Sequence, residues 1–203
     1  MLNKVIDKMN YIKNAIGHFK TILIHKYWVF RYSIQLGIPY RGLLHDLSKF
    51  SWVEFSESVK FYQGGKSSPI VAAKKEQGYS KAWQHHKGRN PHHYEYWTDK
   101  YDTSTIALKM PFKYVIEMIA DYLGAGRAYQ GKSFTLKGEY DWWKNKLEEF
   151  PPKMHKDTQY FVSYILYRFS KEGVFKINTN KFESLYNSKI SPSALKTLQF
   201  KFR

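Results

Sequence analysis

Ile12, Ile16, Phe19, Leu23, Tyr27 and Phe30 recur at intervals of three or four residues, and no other feature constrains the fold as tightly. The spacing lays one apolar stripe along a single long helix, from about Lys4 to Leu36, and predicts that this stripe faces the core. Gly37-Ile38-Pro39 ends the helix, because proline disfavours helical backbone in the residue before it. A second helix is expected from near Tyr40 to Phe50. Ser51 then stands as an N-cap with Glu54 three positions on, a Ser-x-x-Glu capping box. It opens a third helix that carries Val53, Phe55 and Val59 and stops before Gly64-Gly65.

Residues 64–80 hold Gly, Ser, Pro and Lys and read as a loop. A short helix over Lys81 to Lys87 is followed by a turn at Gly88-Arg89-Asn90-Pro91. Pro111 opens a strong helix that runs to about Tyr129 and ends at Gly131. Further helices are expected from Asp141 to Phe150, closed by Pro151-Pro152, and from Thr158 to Ser170, ended by Gly173. The last thirty residues suit a short helix or a strand pair before a basic tail. Tyr94, Tyr96, Trp97, Tyr101, Trp142 and Trp143 read as core, and His155 as surface. Strand signals are weak throughout, so the expectation is an all-α single domain. Residues 1–150 form its main helical part, and 151–203 a C-terminal helical extension packed on the same core.

Composition bounds the function. The chain has 203 residues, 43% of them hydrophobic, which is enough for one core and excludes disorder as the main state. It has no cysteine, which excludes disulfides, thiolate zinc sites, cysteine nucleophiles and iron–sulfur clusters. Lys and Arg number 33 against 17 Asp and Glu, a net charge of +16 that attracts polyanions. The longest apolar stretches, such as Ile22 to Ile24, fall far short of the roughly 18–20 residues a membrane span needs. The first seventeen residues carry charges throughout, unlike a secretory signal. The protein is therefore expected to be soluble and cytoplasmic, with no membrane partner.

Eight histidines stand at 18, 25, 45, 85, 86, 92, 93 and 155. His45 and Asp46 are adjacent on an expected helix end, about 100° apart in projection, and both reach an ion placed over the edge between them. Imidazole plus carboxylate suits Mn, Fe, Co, Ni or Zn. The dipeptide alone fits a surface ion pair or a helix cap better than a metal site. Its surroundings favour a metal: His25 lies on a separate helix, and His85-His86 and His92-His93 flank a tight turn. Asp121 sits mid-helix among Ile119, Ala120 and Leu123, where a carboxylate is costly unless paired or liganded. His18 lies on the same helix face as His25 and is an alternative to it. Glu54 reads as a cap, and Glu57 and Glu117 as salt-bridge partners or as orienters of histidines.

The order His … His-Asp … Asp resembles the HD-domain metal-dependent phosphohydrolases. The matching residues are His25, His45-Asp46-Leu47-Ser48-Lys49 and Ala120-Asp121-Tyr122-Leu123. The resemblance covers about residues 18–130, and the stretch from His85 to Glu95 is similar in placement to the extra histidines of the two-metal subgroup. More narrowly, LLHDLSKF, HHKGRNPHHYEYW and IADYLGAGRAY resemble a phage and bacterial family with no settled activity. Two features depart from the superfamily pattern: Ser48 stands where glycine is usual, and 39 residues separate Asp46 from His85.

The resemblance implies an HD-domain-like helical bundle holding a divalent metal, as one or two ions of Mn, Fe, Co, Ni, Zn or Mg. A first ion would sit among His25, His45, Asp46 and Asp121. A second would share Asp46 and use one of His85 and His86 and one of His92 and His93; we take His86 and His92. Metal-activated hydroxide would attack phosphorus. Asp46 and Lys49 would be catalytic, and Lys49, Lys87, Arg89 and Arg127 would bind phosphate. The implied substrate is a nucleotide or another phosphate ester, and the charge leaves a nucleic-acid phosphodiester open. Two other readings stand beside it: a di-iron oxygenase on the same fold, and a non-catalytic basic protein that binds nucleic acid.

Overall fold

The computed structural model describes residues 2–101, 104–149 and 153–188. Its elements are α1 (Leu2–Leu36), α2 (Pro39–Leu44), α3 (Trp52–Lys60), α4 (Pro69–Gln77), α5 (Lys81–Arg89), β1 (Thr98–Tyr101), β2 (Ser104–Ala107), α6 (Phe112–Gln130), α7 (Leu136–Glu149), α8 (Lys156–Glu172) and α9 (Asn180–Asn187). The described residues form an all-α bundle with one small antiparallel hairpin, in which Thr98 pairs with Ala107 and Tyr101 with Ser104. None of the described helices is long and apolar enough to cross a membrane.

The core is one continuous apolar cluster around α6. Every residue of α6 from Val115 to Ala120 is buried, as expected of a helix enclosed by others. Val29 and Leu36 of α1, Trp143 of α7, Phe161, Ile165 and Phe169 of α8, and Tyr186 of α9 complete the cluster. The described part of the C-terminal extension therefore packs on the same core as the rest. Residues 189–203, where the basic tail was expected, lie outside the described residues.

α1 has the expected extent but not the expected orientation. Ile12, Ile16, Phe19, Leu23 and Tyr27 are exposed, and Phe30 is only half-buried. The buried line is His18, Ile22, His25, Val29, Ser33 and Leu36. Close approach of α1 to α6 explains the choice. A Cβ added at Gly124 would stand 2.4 Å from Val29 Cγ2 and 2.9 Å from the Val29 backbone nitrogen. That contact admits only small groups and turns the histidine-bearing side of α1 inward.

Four further expectations need correction. The helix expected from Tyr40 to Phe50 is broken: α2 ends at Leu44, and a 3-10 turn spans Leu47–Phe50. At the break Asp46 has φ 56°, the only positive φ among described residues other than glycine. Residues 64–80 are not all loop, because Pro69 and the left-handed Gly78 (φ 80°) bracket α4. The turn-forming residues there are the ends of a helix. α7 starts at Leu136, five residues before its expected start. Tyr96 and Trp142 are exposed, although Trp143 is fully buried and Tyr94 and Trp97 pack on the core.

Candidate metal centre

His25 comes from α1, His45 and Asp46 from the break after α2, His86 from α5, His92 and His93 from the turn after α5, and Asp121 from α6. These side chains converge, and Asp46 lies at their centre. Its Oδ2 is 3.4 Å from His25 Nε2 and 3.1 Å from His45 Nε2. Asp121 Oδ1 is 3.2 Å from His25 Nε2 and 3.4 Å from His45 Nε2. The other oxygen of Asp46, Oδ1, is 3.4 Å from His86 Nε2 and 3.3 Å from His92 Nε2. His86 Nε2 and His93 Nε2 face each other at 2.8 Å. One carboxylate thus joins two sets of donors: His25, His45, Asp46 and Asp121, and Asp46, His86, His92 and His93. The left-handed backbone at Asp46 lets adjacent residues His45 and Asp46 turn inward together.

The residues present fit a metal. Donor atoms about 2.0–2.1 Å from a common ion lie about 3.4 Å apart in a tetrahedron and about 3.0 Å apart in an octahedron. The imidazole–carboxylate separations of 3.1–3.4 Å fall between these values. His25 Nε2, His45 Nε2, His92 Nε2 and both Asp46 oxygens are buried without a hydrogen bond, although buried polar groups ordinarily have a partner. Lys49 Nζ lies 2.6 Å from Asp46 Oδ2 as an ion pair. The buried His and Asp groups are close enough together to hold a metal ion.

The histidines are oriented from behind. Glu117 Oε1 lies 3.2 Å from Nδ1 of His45 and 3.3 Å from Nδ1 of His92, leaving the Nε2 of each ring for an ion. Arg41 donates to the other oxygen of Glu117 at 2.6 Å. Glu54 divides its carboxylate between His85 Nδ1 and His86 Nδ1, each at 2.7 Å. Asn90 Nδ2 donates to Ser48 Oγ and to the His86 carbonyl, both at 2.8 Å, so Ser48 ties the His45-Asp46 turn to α5. Lys26 Nζ donates to the His45 carbonyl and closes the C-terminal end of α2.

The electrostatics suit a cation. Burial works against a charge on His45, yet Asp46, Asp121 and Glu117 hold its pKa well above the ordinary histidine value. Burial likewise opposes ionisation of Asp46 and Asp121, but the facing imidazoles, with Lys49 beside Asp46, keep both carboxylates well below their usual range. A protein of net charge +16 has thus gathered several of its few acids at one buried point.

The structure brings together His25, His45, Asp46, Lys49, His86, His92 and Asp121, seven of the ten residues singled out from the sequence. His93 joins them, and His18 lies outside the cluster. Arg89 lines a cleft with Arg41, Asp46 and His92, whereas Lys87 lines neither this cleft nor the cavity beside His25. The guanidinium of Arg127 lies over the rings of Trp28 (4.9 Å) and Phe134 (5.9 Å). Glu54 is more than a cap. Ser51 Oγ accepts from its backbone N–H, but its carboxylate orients two histidines. Glu57 caps α5, accepting from Ser80 Oγ and the backbone N–H groups of Lys81 and Ala82. Sequence reasoning missed Arg41; its only signal was a cation one turn before His45. Comparison with curated proteins and with solved structures finds no match. Residues 14–168, which include every side chain of the cluster, match a family of unknown function (DUF5662), and the chain belongs to that family.

Proposed function

We propose that the protein is a metal-dependent phosphohydrolase of HD-domain type, acting on a nucleotide or another phosphate ester. The observation that carries this reading is the Asp46 carboxylate, with one oxygen turned to each of two histidine-rich donor sets. Divalent ions bound there would supply Lewis acidity and lower the pKa of a bound water toward about 7. Lys49 is kept protonated beside Asp46 although burial opposes its charge, and it offers an ammonium group to a phosphoryl oxygen. Arg89 in the neighbouring cleft offers a planar fork to the same kind of group. Glu117 and Glu54 hold the imidazoles in position, so few groups need to reorganise when substrate arrives.

A di-iron oxygenase is the second reading. It draws on the three imidazoles and single carboxylate of the second donor set, a composition that also suits iron. Lys49 and Arg89 favour the phosphate reading, since oxygen chemistry has no need of cations there. The experiment is metal analysis of the purified protein together with a screen of phosphate monoesters and diesters in Mn, Co, Ni, Mg and Fe. Phosphate release that is abolished in Asp46→Asn supports the proposal. Iron-bound, oxygen-consuming protein with no phosphate release supports the alternative.

A further inference from the structure

Beside the cluster, a small cavity of about 70 Å³ opens between α1, α3 and the start of α4. His25 and Lys49 form the wall it shares with the metal centre. Apart from Glu54, which orients His86, the other lining residues belong to neither donor set. His18 is 8% exposed and its ring is fixed between Phe55 and Tyr62, at centroid distances of 5.4 and 5.9 Å. Its Nδ1 is buried with no hydrogen bond, although a buried polar nitrogen ordinarily has a partner. Burial, with Lys49 adding to it, holds this imidazole down to about 4, so it is a neutral ring with one donor and one acceptor. Ser58, also 8% exposed, brings a hydroxyl to the same cavity, and Ile22 and Ile70 give it apolar walls.

The charged groups on the lining are already engaged. Lys49 pairs with Asp46, and Glu54 holds His85 and His86. The cavity therefore suits an uncharged group with an apolar body and a hydrogen-bonding edge. Its shared wall with Lys49 places such a group next to a phosphoryl unit at the metal centre.

We infer that this cavity receives the uncharged alcohol portion of the phosphate ester, and that His18 and Ser58 are specificity-determining residues that read its hydrogen-bonding edge. The word "ester" rests on the phosphohydrolase reading; the chemistry of the cavity does not. A group bound here would supply the missing partner of His18, and a ligand without donors or acceptors would leave His18 Nδ1 unpaired.

The test has a binding arm and a turnover arm, both on the full chain loaded with Mg or Zn, which are diamagnetic. In the first, ring ¹⁵N resonances of the histidines are followed while ethanol, 1-propanol, ethylene glycol and glycerol are added. At least one is expected to move the His18 resonances, with binding weakened about tenfold in Ser58→Ala and in His18→Phe. In the second, kcat/KM for the phosphate monoester of that compound falls about tenfold in both variants, while phenyl phosphate is turned over within about twofold of the parent rate. Ser58→Ala keeps the test decisive if His18→Phe does not fold. Movement of His18 without turnover of any ester supports the cavity and removes the hydrolase reading. Turnover with His18 unmoved by every compound, or with equal losses on phenyl phosphate, overturns the inference and leaves the hydrolase reading standing.

Discussion

His45 presents Nδ1 to Glu117 Oε1 at 3.2 Å, and so turns its Nε2 toward Asp46 and Asp121. The same oxygen serves His92, which belongs to the other donor set. Glu117→Gln should therefore weaken both sets at once. A loss of about 10- to 100-fold in metal affinity is expected, the usual effect of removing a carboxylate behind a ligating histidine. Competition titration with a chelating dye measures it. Unchanged affinity would mean that the rings are held by packing alone.

The contact between Gly124 and Val29 positions two ligands, because His25 lies one turn before Val29 and Asp121 less than one turn before Gly124. Gly124→Ala would put a methyl group 2.4 Å from Val29 Cγ2 and force α1 away from α6. Overpacking of this kind costs about 1–3 kcal/mol. Chemical denaturation should show that loss, and metal affinity should fall with it. The double variant Gly124→Ala with Val29→Ala should recover part of both.

That contact also explains what the sequence could not convey about α1. Its length and its end at Gly37 follow from local rules of periodicity and proline. Which face turns inward does not, because the most apolar stripe competes with a line bearing His18, His25 and Ser33. The buried line wins through glycine contacts and the histidine cluster, which are tertiary facts. The break at Asp46 was hidden for a similar reason: its side chain meets histidines from three other segments, His25, His86 and His92. His25, His45, Asp46 and Asp121 were singled out because their order along the chain resembles that of the HD-domain proteins, and Asp121 also because a carboxylate mid-helix among apolar residues needs a partner. The ring contacts of Arg127 were not legible, because a guanidinium suits a phosphate and an indole ring equally well.

Glu139 gives a pH dependence whose sign is set by burial. It is 4% exposed, and burial first, then the charge of Asp121, pushes its carboxyl up to about 7 from 4.5. A raised acid binds its proton more tightly in the folded state. Folding stability should therefore be highest below about pH 4.5 as far as this group is concerned, and fall as pH rises to about 7. The loss is on the order of 3 kcal/mol, and a divalent ion on Asp121 should reduce it. Denaturation of the apo protein at several pH values tests this, because Glu139→Gln should remove the decline and be the more stable protein at pH 8. Equal stability of the two proteins at pH 8 would contradict it.

Lys49 and Arg127 should separate cleanly. Lys49→Met leaves the donor sets intact, so metal content should hold while phosphate-ester turnover falls about 100-fold or more, the scale for removing one stabilising charge from a transition state. Arg127→Ala removes a cation from the rings of Trp28 and Phe134. It should cost about 0.5–2 kcal/mol of stability and leave kcat/KM unchanged. A large loss of turnover in Arg127→Ala would return that residue to the substrate site.

The most direct measurement is the number of divalent ions bound per chain, by elemental analysis after loading and removal of excess metal. Two ions are expected in the parent protein, one in His25→Ala, and none in Asp46→Ala, since both donor sets share that carboxylate. A parent protein that retains no ion, or an Asp46→Ala variant that retains both, would show that the convergence of these side chains is not a metal site.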